Sequence, residues 1–468
     1  MRKIVIVLTT GLMLLFSQGG WPATWYVAPP PLGANGNPGT QELPLPTIQA
    51  GIDNAAHGDM VIVAEGSYVE NIQFNGKNII LTSTDALDPS VVANTIVDGN
   101  QAGSVVAFSG TETEACVLSG FTIRNGNSRL GGGICGGPLD NPTGAAIQNN
   151  AITGNSAEVG GGLYSCYGRI QNNTILGNSA EFGGGLYSCH GTIENNTIAG
   201  NSAERDAGLS RCDGTVQNNA IIGNSAGLLA GGLSGCHGTI RNNTITGNSA
   251  GSYGGGVYSC NAAIQNNTIT GNSAGSGGGL YWCSGMIQNC ILWANNAATG
   301  PQLYGSSFPT FSCIEGWPGG GEGNIALNPQ FVDPDGPDND PATCEDNDYH
   351  LLPGSPGVDK GKNDDWMKGA VDLDGNPRIL LGATSLTVDM GAYERRFPLG
   401  IAWMGPAGIE LSWTMRPQTA YTVLSSFDVA AEPWTHETMI LGGETGGPAV
   451  WLDPATTSPL KFYKIAIE

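Results

Sequence analysis

Between residues 147 and 300 apolar and polar positions recur with a fixed period. The phrases IQNNAITGNSAEVGGGLYSCYGR, IQNNTILGNSAEFGGGLYSCHGT and IENNTIAGNSAERDAGLSRCDGT follow one another. Further copies begin at Val216, Ile240 and Ile264, and a decayed one at Ile287. Three apolar positions repeat. The first is Ile147, Ile170, Ile193, Val216, Ile240, Ile264, Ile287. The second is Ile152, Ile175, Ile198, Ile221, Ile245, Ile269, Leu292. The third is Leu163, Leu186, Leu209, Leu233, Val257, Leu280. Each copy holds short β-type runs broken by Gly-Asn and Gly-Gly, with no helical period. Three short runs cannot bury themselves alone, but copies stacked in register bury one continuous core, with rungs ~4.8 Å apart. The pattern predicts an all-β parallel coil of 23–24 residues per turn, and the crossover rule makes it right-handed.

Stacking places Asn150, Asn173, Asn196, Asn219, Asn243 and Asn267 in one ladder and Asn155, Asn178, Asn201, Asn224, Asn248 and Asn272 in another. Such amides can hydrogen-bond along the axis, and the glycines supply left-handed turns. The Asn-Asn-Thr triplets match the glycosylation sequon at Asn172, Asn195, Asn242 and Asn266; placed on the ladders, they read as structural.

The phrase NNTITGNSA…GGGLY resembles right-handed parallel β-helix repeat proteins of the pectin-lyase-like fold, and also the GGA-type and F-x-x-N repeats of polymorphic outer-membrane proteins. The resemblance covers residues ~45–315 and speaks to fold rather than activity. Residues 24–72 resemble the opening of secreted β-helix proteins, with Thr47 to Ala56 as a capping helix over the exposed first edge. Residues 324–361, VDLDGNPRI (371–379) and VDMGAYE (388–394) resemble the closing region of choice-of-anchor-type β-helix proteins, which implies a surface or secreted life. Alternating strands after Pro398 predict a small C-terminal β-sandwich. The expected organisation is a signal peptide at 1–23, an opening strand and capping helix at 24–59, the right-handed parallel β-helix at 60–323, the acidic closing region at 324–397 and the sandwich at 398–468.

The signal peptide rests on Arg2 and Lys3 followed by the apolar stretch Ile4 to Phe16 and small residues up to Ala23, with cleavage after Ala23 or near Gly19 or Gly20. No transmembrane segment is expected after its removal. With a net charge of −22, nucleic acid is not an expected partner. Of the 11 cysteines, six share one repeat position: Cys166, Cys189, Cys212, Cys236, Cys260 and Cys283. They read as small stacked hydrophobes, or as rung-to-rung disulfides of an oxidising compartment.

Three constellations could carry chemistry. Glu158, Glu181 and Glu204 share a repeat position, with Arg205 and Asp206 beside the last. Carboxylates at rung spacing can hold Ca²⁺ or act as an acid and nucleophile pair, but Gly227, Gly251 and Gly275 at the same position of later rungs favour a solvated turn. Asp333, Asp335, Asp338, Asp340, Asp346 and Asp348 crowd into one loop whose spacing suits oxygen-ligand Ca²⁺ binding. Tyr164, Tyr187, Tyr258 and Tyr281, with Trp282, form a strip expected to point outward, where the rings either simply cover the surface or stack on sugar faces. The leading reading is an exported, non-catalytic surface or extracellular β-helix protein that binds polysaccharide or adheres to a cell-surface glycan. The alternatives are a Ca²⁺-dependent polysaccharide lyase or glycoside hydrolase of the same fold, and an envelope scaffold with no glycan ligand.

Overall fold

A computed structural model describes residues 22–338, 346–352, 354–379 and 387–395, together with the strand backbone of the segment 400–467. The expected signal peptide lies almost entirely outside the described residues. The chain forms a right-handed parallel β-helix whose strands pair with their counterparts one coil away: Ile147 with Ile170, Ile170 with Ile193, Ile193 with Val216. The three predicted apolar columns are fully buried along the axis.

Each repeat coil contains four strands rather than the three that its apolar runs suggest. The first sheet has 11 strands and carries the Ile147 column. The second has 11 and carries the Ile152 column. An 8-stranded third sheet holds Ser156–Val159, Ser179–Phe182 and Ser202–Arg205, and a 10-stranded fourth sheet carries the Leu163 column. The third sheet has no buried isoleucine column to announce it. Its strands pair because the stacked coils present their backbone groups in register, and unpaired groups would be costly.

The asparagine ladders form as expected. Asn173 Nδ2 donates to Asn196 Oδ1 (3.0 Å) and to the Ile147 carbonyl of the preceding coil (2.9 Å), while the Asn173 backbone N–H donates to the same Asn196 oxygen (2.9 Å). One amide therefore joins three successive coils. The second ladder repeats the device from Asn155 to Asn178 (3.0 Å) and onward to Asn295. The sequon asparagines stand elsewhere: Asn172, Asn195, Asn242 and Asn266 precede the ladder residue and occupy the left-handed corner between the first two sheets, with φ of 52–56°. Asparagine tolerates that conformation better than other residues with a side chain, so these corners need no glycine. In the Gly-Gly-Gly run of most coils the first glycine is left-handed, with φ 70° at Gly160 and 68° at Gly183, but the later ones have another cause. A Cβ on Gly162 would sit 2.6 Å from the Gly185 carbonyl oxygen of the next coil.

The capping helix spans Ile48–Asn54. Thr47 is its N-cap, and Ile48 and Ile52 are buried in the core of the first coils. The coils between Met60 and Gly133, irregular in sequence, pair into the same four sheets. Beyond the last coil, Phe331–Asp333 and Asp348–Leu351 pair antiparallel. The closing segment then folds back along the corner of the first two sheets. Asn242 Nδ2 donates to the Val371 carbonyl (3.0 Å), Asn266 Nδ2 to the Asp389 carbonyl (3.2 Å) and Asn289 Nδ2 to the Lys362 carbonyl (2.9 Å). Three corner asparagines on consecutive coils thus anchor the segment.

Farther on, Gly400–Trp403, Ile409–Met415 and Gly447–Asp453 form one three-stranded antiparallel sheet. Ala420–Ser426, Thr435–Leu441 and Phe462–Ile467 form another. No described helix is long and apolar enough to cross a membrane.

Candidate functional site

The carboxylate column lies on strands of the third sheet, not in a turn. Glu158, Glu181 and Glu204 are exposed there on three consecutive coils. Arg205 is also exposed, its guanidinium 5.9 Å from the centre of the Phe182 ring. Asp206 turns away from them with φ 65°. Its Oδ2 accepts from Ser210 Oγ of the fourth sheet (3.0 Å), and burial raises its pKa. The structure therefore separates Asp206 from the glutamates with which the sequence grouped it.

In the acidic loop, Asp333 faces Asp348 across the antiparallel pair, while Asp335, Asp338 and Asp346 are exposed. Asp340 lies outside the described residues. Asp348 is committed to His350, whose Nδ1 lies 2.5 Å from Asp348 Oδ1 and whose Nε2 lies 2.6 Å from Asp374 Oδ2. Among the described residues, no three His, Cys, Asp or Glu side chains converge on a metal-sized site.

The aromatic strip is not a row of freely exposed rings. Tyr164 is buried, and Tyr187, Tyr258 and Tyr281 are half-buried. The rings lie almost parallel to one another: Tyr164–Tyr187 at 5.9 Å, Tyr258–Tyr281 at 5.6 Å, Tyr281–Tyr304 at 5.4 Å. Rung spacing brings the rings into offset stacking, so their faces are largely taken by each other and their edges meet solvent. Trp282, stacked on Tyr281 at 5.9 Å, keeps the most exposure, 59%.

A better-formed site lies where the closing segment leaves the coils. An open cleft of about 420 Å³ is bounded by Glu194, Gln217 and Arg241 of the first sheet, by corner residues Asn195, Asn218 and Asn242, and by Trp366 and residues 368–371 including Lys368. The first-sheet side chains form a chain along the axis. Gln217 Nε2 donates to Glu194 Oε2 (2.8 Å), and Arg241 Nε donates to Gln217 Oε1 (2.9 Å). Trp366 covers Arg241, with the guanidinium carbon 4.5 Å from the ring centre. Three polar atoms in this wall are buried without a hydrogen-bond partner: Asn218 Oδ1, Asn242 Oδ1 and Trp366 Nε1. Each such group costs roughly 1–3 kcal/mol if it stays unpaired.

Sequence reasoning missed this cleft. A signal was present: the outward position after the first isoleucine runs Gln148, Gln171, Glu194, Gln217, Arg241, Gln265, Gln288, and it departs from glutamine only at Glu194 and Arg241. Nothing in the sequence placed Trp366 beside those two.

A family described as "Periplasmic copper-binding protein (NosD)" matches residues 136–297, roughly a third of the chain. No curated protein matches in sequence. Among solved structures, the chain is similar to pectate lyase Pel9A (14% identity, TM-score 0.46, covering 81% of this chain and 97% of that one). It is also similar to XylC in complex with xylose (11% identity, TM-score 0.38, covering 94% and 100%). The chain is a right-handed parallel β-helix protein, similar over its central coils to the NosD family.

Proposed function

We propose that this chain is an exported β-helix protein that binds polysaccharide without cleaving it, and that the cleft beneath Trp366 is the binding site. One observation carries the reading: two buried amide oxygens and one buried indole N–H stand unpaired in the wall of a single aromatic-lined cleft. Sugar hydroxyls both donate and accept, so one ring reaching this wall, after a small shift of the roof, can satisfy both kinds of group. An indole beside amides and charged side chains is also the mixed apolar and polar surface that a sugar ring presents in complement. An extracellular or envelope location is supported at a coarse level by the match to a periplasmic family.

The test is a binding and cleavage screen of the full chain on insoluble and soluble polysaccharides, with and without Ca²⁺. Retention that Trp366→Ala abolishes, with no new reducing ends and no unsaturated products, is the expected result. Cleavage that chelation removes would replace this reading with a lyase. Silence in both arms would leave a scaffold.

A further inference from the structure

The chain holds 40 acidic and 18 basic residues, so a cation has no shortage of partners. Arg124 pairs with Asp98 (3.1 Å), Arg378 with Glu394 (3.1 Å), Lys368 with Asp365 (2.8 Å) and Arg169 with Glu194 (3.6 Å). Exposed cations such as Arg205 and Arg211 also lack an ion pair among the described residues, but Arg241 is half-buried. Its Nε is bound to the neutral Gln217 amide, its face is covered by Trp366, and it makes no ion pair among the described residues. Glu194, the carboxylate on the same column, stands two coils away, with Gln217 between them and Arg169 beside it. Burial of the guanidinium lowers its pKa, and no carboxylate offsets that effect. A half-buried guanidinium without a counter-charge is unfavourable, and its fork matches planar or tetrahedral oxyanions.

Resting on the glycan reading of the cleft, we infer that the bound sugar carries an anionic substituent, a carboxylate or a sulfate ester, and that Arg241 is the residue that reads it. Gln217 fixes the guanidinium through Nε, leaving its terminal nitrogens for the anion. Trp366 shields the pair from water, which strengthens it. Lys368 on the opposite wall is committed to Asp365, which leaves Arg241 to meet the anion.

The experiment measures affinity of the full chain for neutral, uronate-containing and sulfated oligosaccharides of equal length, at low and raised salt. Wild type is compared with Arg241→Gln, Arg241→Lys and Trp366→Ala, each checked for an unchanged circular dichroism spectrum. The expected result is a preference for one anionic series on the order of tenfold. It weakens with salt, is lost in Arg241→Gln and is partly kept in Arg241→Lys, where the charge remains but the fork does not. The series that binds identifies the anion. Equal affinity for neutral and anionic sugars, or a preference that survives Arg241→Gln, overturns the inference and leaves the glycan reading standing. Failure to bind any of the three series overturns both.

Discussion

Arg241 lies beneath the indole of Trp366 at 4.5 Å, and this contact joins an outward position of a repeat coil to the closing segment that folds back over it. The pair closes the cleft and keeps the guanidinium partly out of water. A contact of this kind contributes about 0.5–2 kcal/mol, depending on how far the cation is desolvated.

Trp366→Ala is therefore expected to remove polysaccharide retention while lowering unfolding stability by at most about 2 kcal/mol. Trp366→Phe should keep part of the retention. Affinity electrophoresis alongside a thermal melt separates the two effects.

The ladder asparagines should behave in the opposite way. Asn219 Nδ2 binds Asn243 Oδ1 (3.0 Å), the Ile193 carbonyl (2.9 Å) and the Gln217 carbonyl (2.9 Å), and its own oxygen accepts from Asn196. Asn219→Ala leaves several buried groups unpaired, each costing roughly 1–3 kcal/mol. A fall in the urea midpoint is expected, with no change in sugar selectivity if the coil survives.

Corner asparagines should tolerate glycine. Asn172 has φ 54° and an exposed side chain. Asn172→Gly should be nearly neutral, whereas Asn172→Val should cost about 1–2 kcal/mol for a left-handed β-branched residue. Denaturant titration of the two variants side by side provides the check.

The cysteine column should be chemically silent in the folded protein. All ten described cysteines are free, and the six of the column are fully buried. Burial pushes the Cys283 thiol up to about 11, whereas hydrogen bonds from neighbouring thiols outweigh burial and pull Cys189 and Cys236 down, so the silence of the column rests on its complete burial from the reagent. A colorimetric thiol reagent should therefore label these residues only after denaturation. Rapid labelling of the native protein would show that the coils open.

Anchoring of the closing segment should weaken as pH rises. Burial alone would lower the pKa of His350, but hydrogen bonds and charge from Asp374 and Asp348 outweigh it and the pKa is raised. Its stabilising contribution is thus full below the unfolded value of about 6.5 and is lost as pH climbs through the higher folded value. Burial also raises Asp389 to about 6. That group takes up a proton on folding, so it too favours the folded segment at lower pH. Protection factors of residues 359–379 and 387–395, corrected for the intrinsic base-catalysed exchange rate, should be higher at pH 5.5 than at pH 8.5, and His350→Gln should remove the part of the difference that arises above about pH 6.5.

What the sequence determined by itself is the repetitive part. In a stacked coil, the spatial neighbour of a residue is the one 23 or 24 positions on, so the buried columns, both asparagine ladders and the cysteine column can be read by aligning the phrase with itself. The capping helix was legible through the resemblance of residues 24–72 to the opening of secreted β-helix proteins, and the structure adds its N-cap, the Thr47 hydroxyl accepting from Ala50 N–H. Tertiary structure decided the rest. The Ser156–Val159 strand has no apolar period and exists because the stacked backbone needs partners. The tyrosines turned their faces to each other because rung spacing is also ring-stacking spacing. The site depended most on three dimensions: residues 362–379 and 387–395 belong to no repeat, and their position is set by Asn242, Asn266 and Asn289 donating to distant carbonyls. Only that docking brings Trp366 over Arg241, and periodicity carries no information about a contact made once.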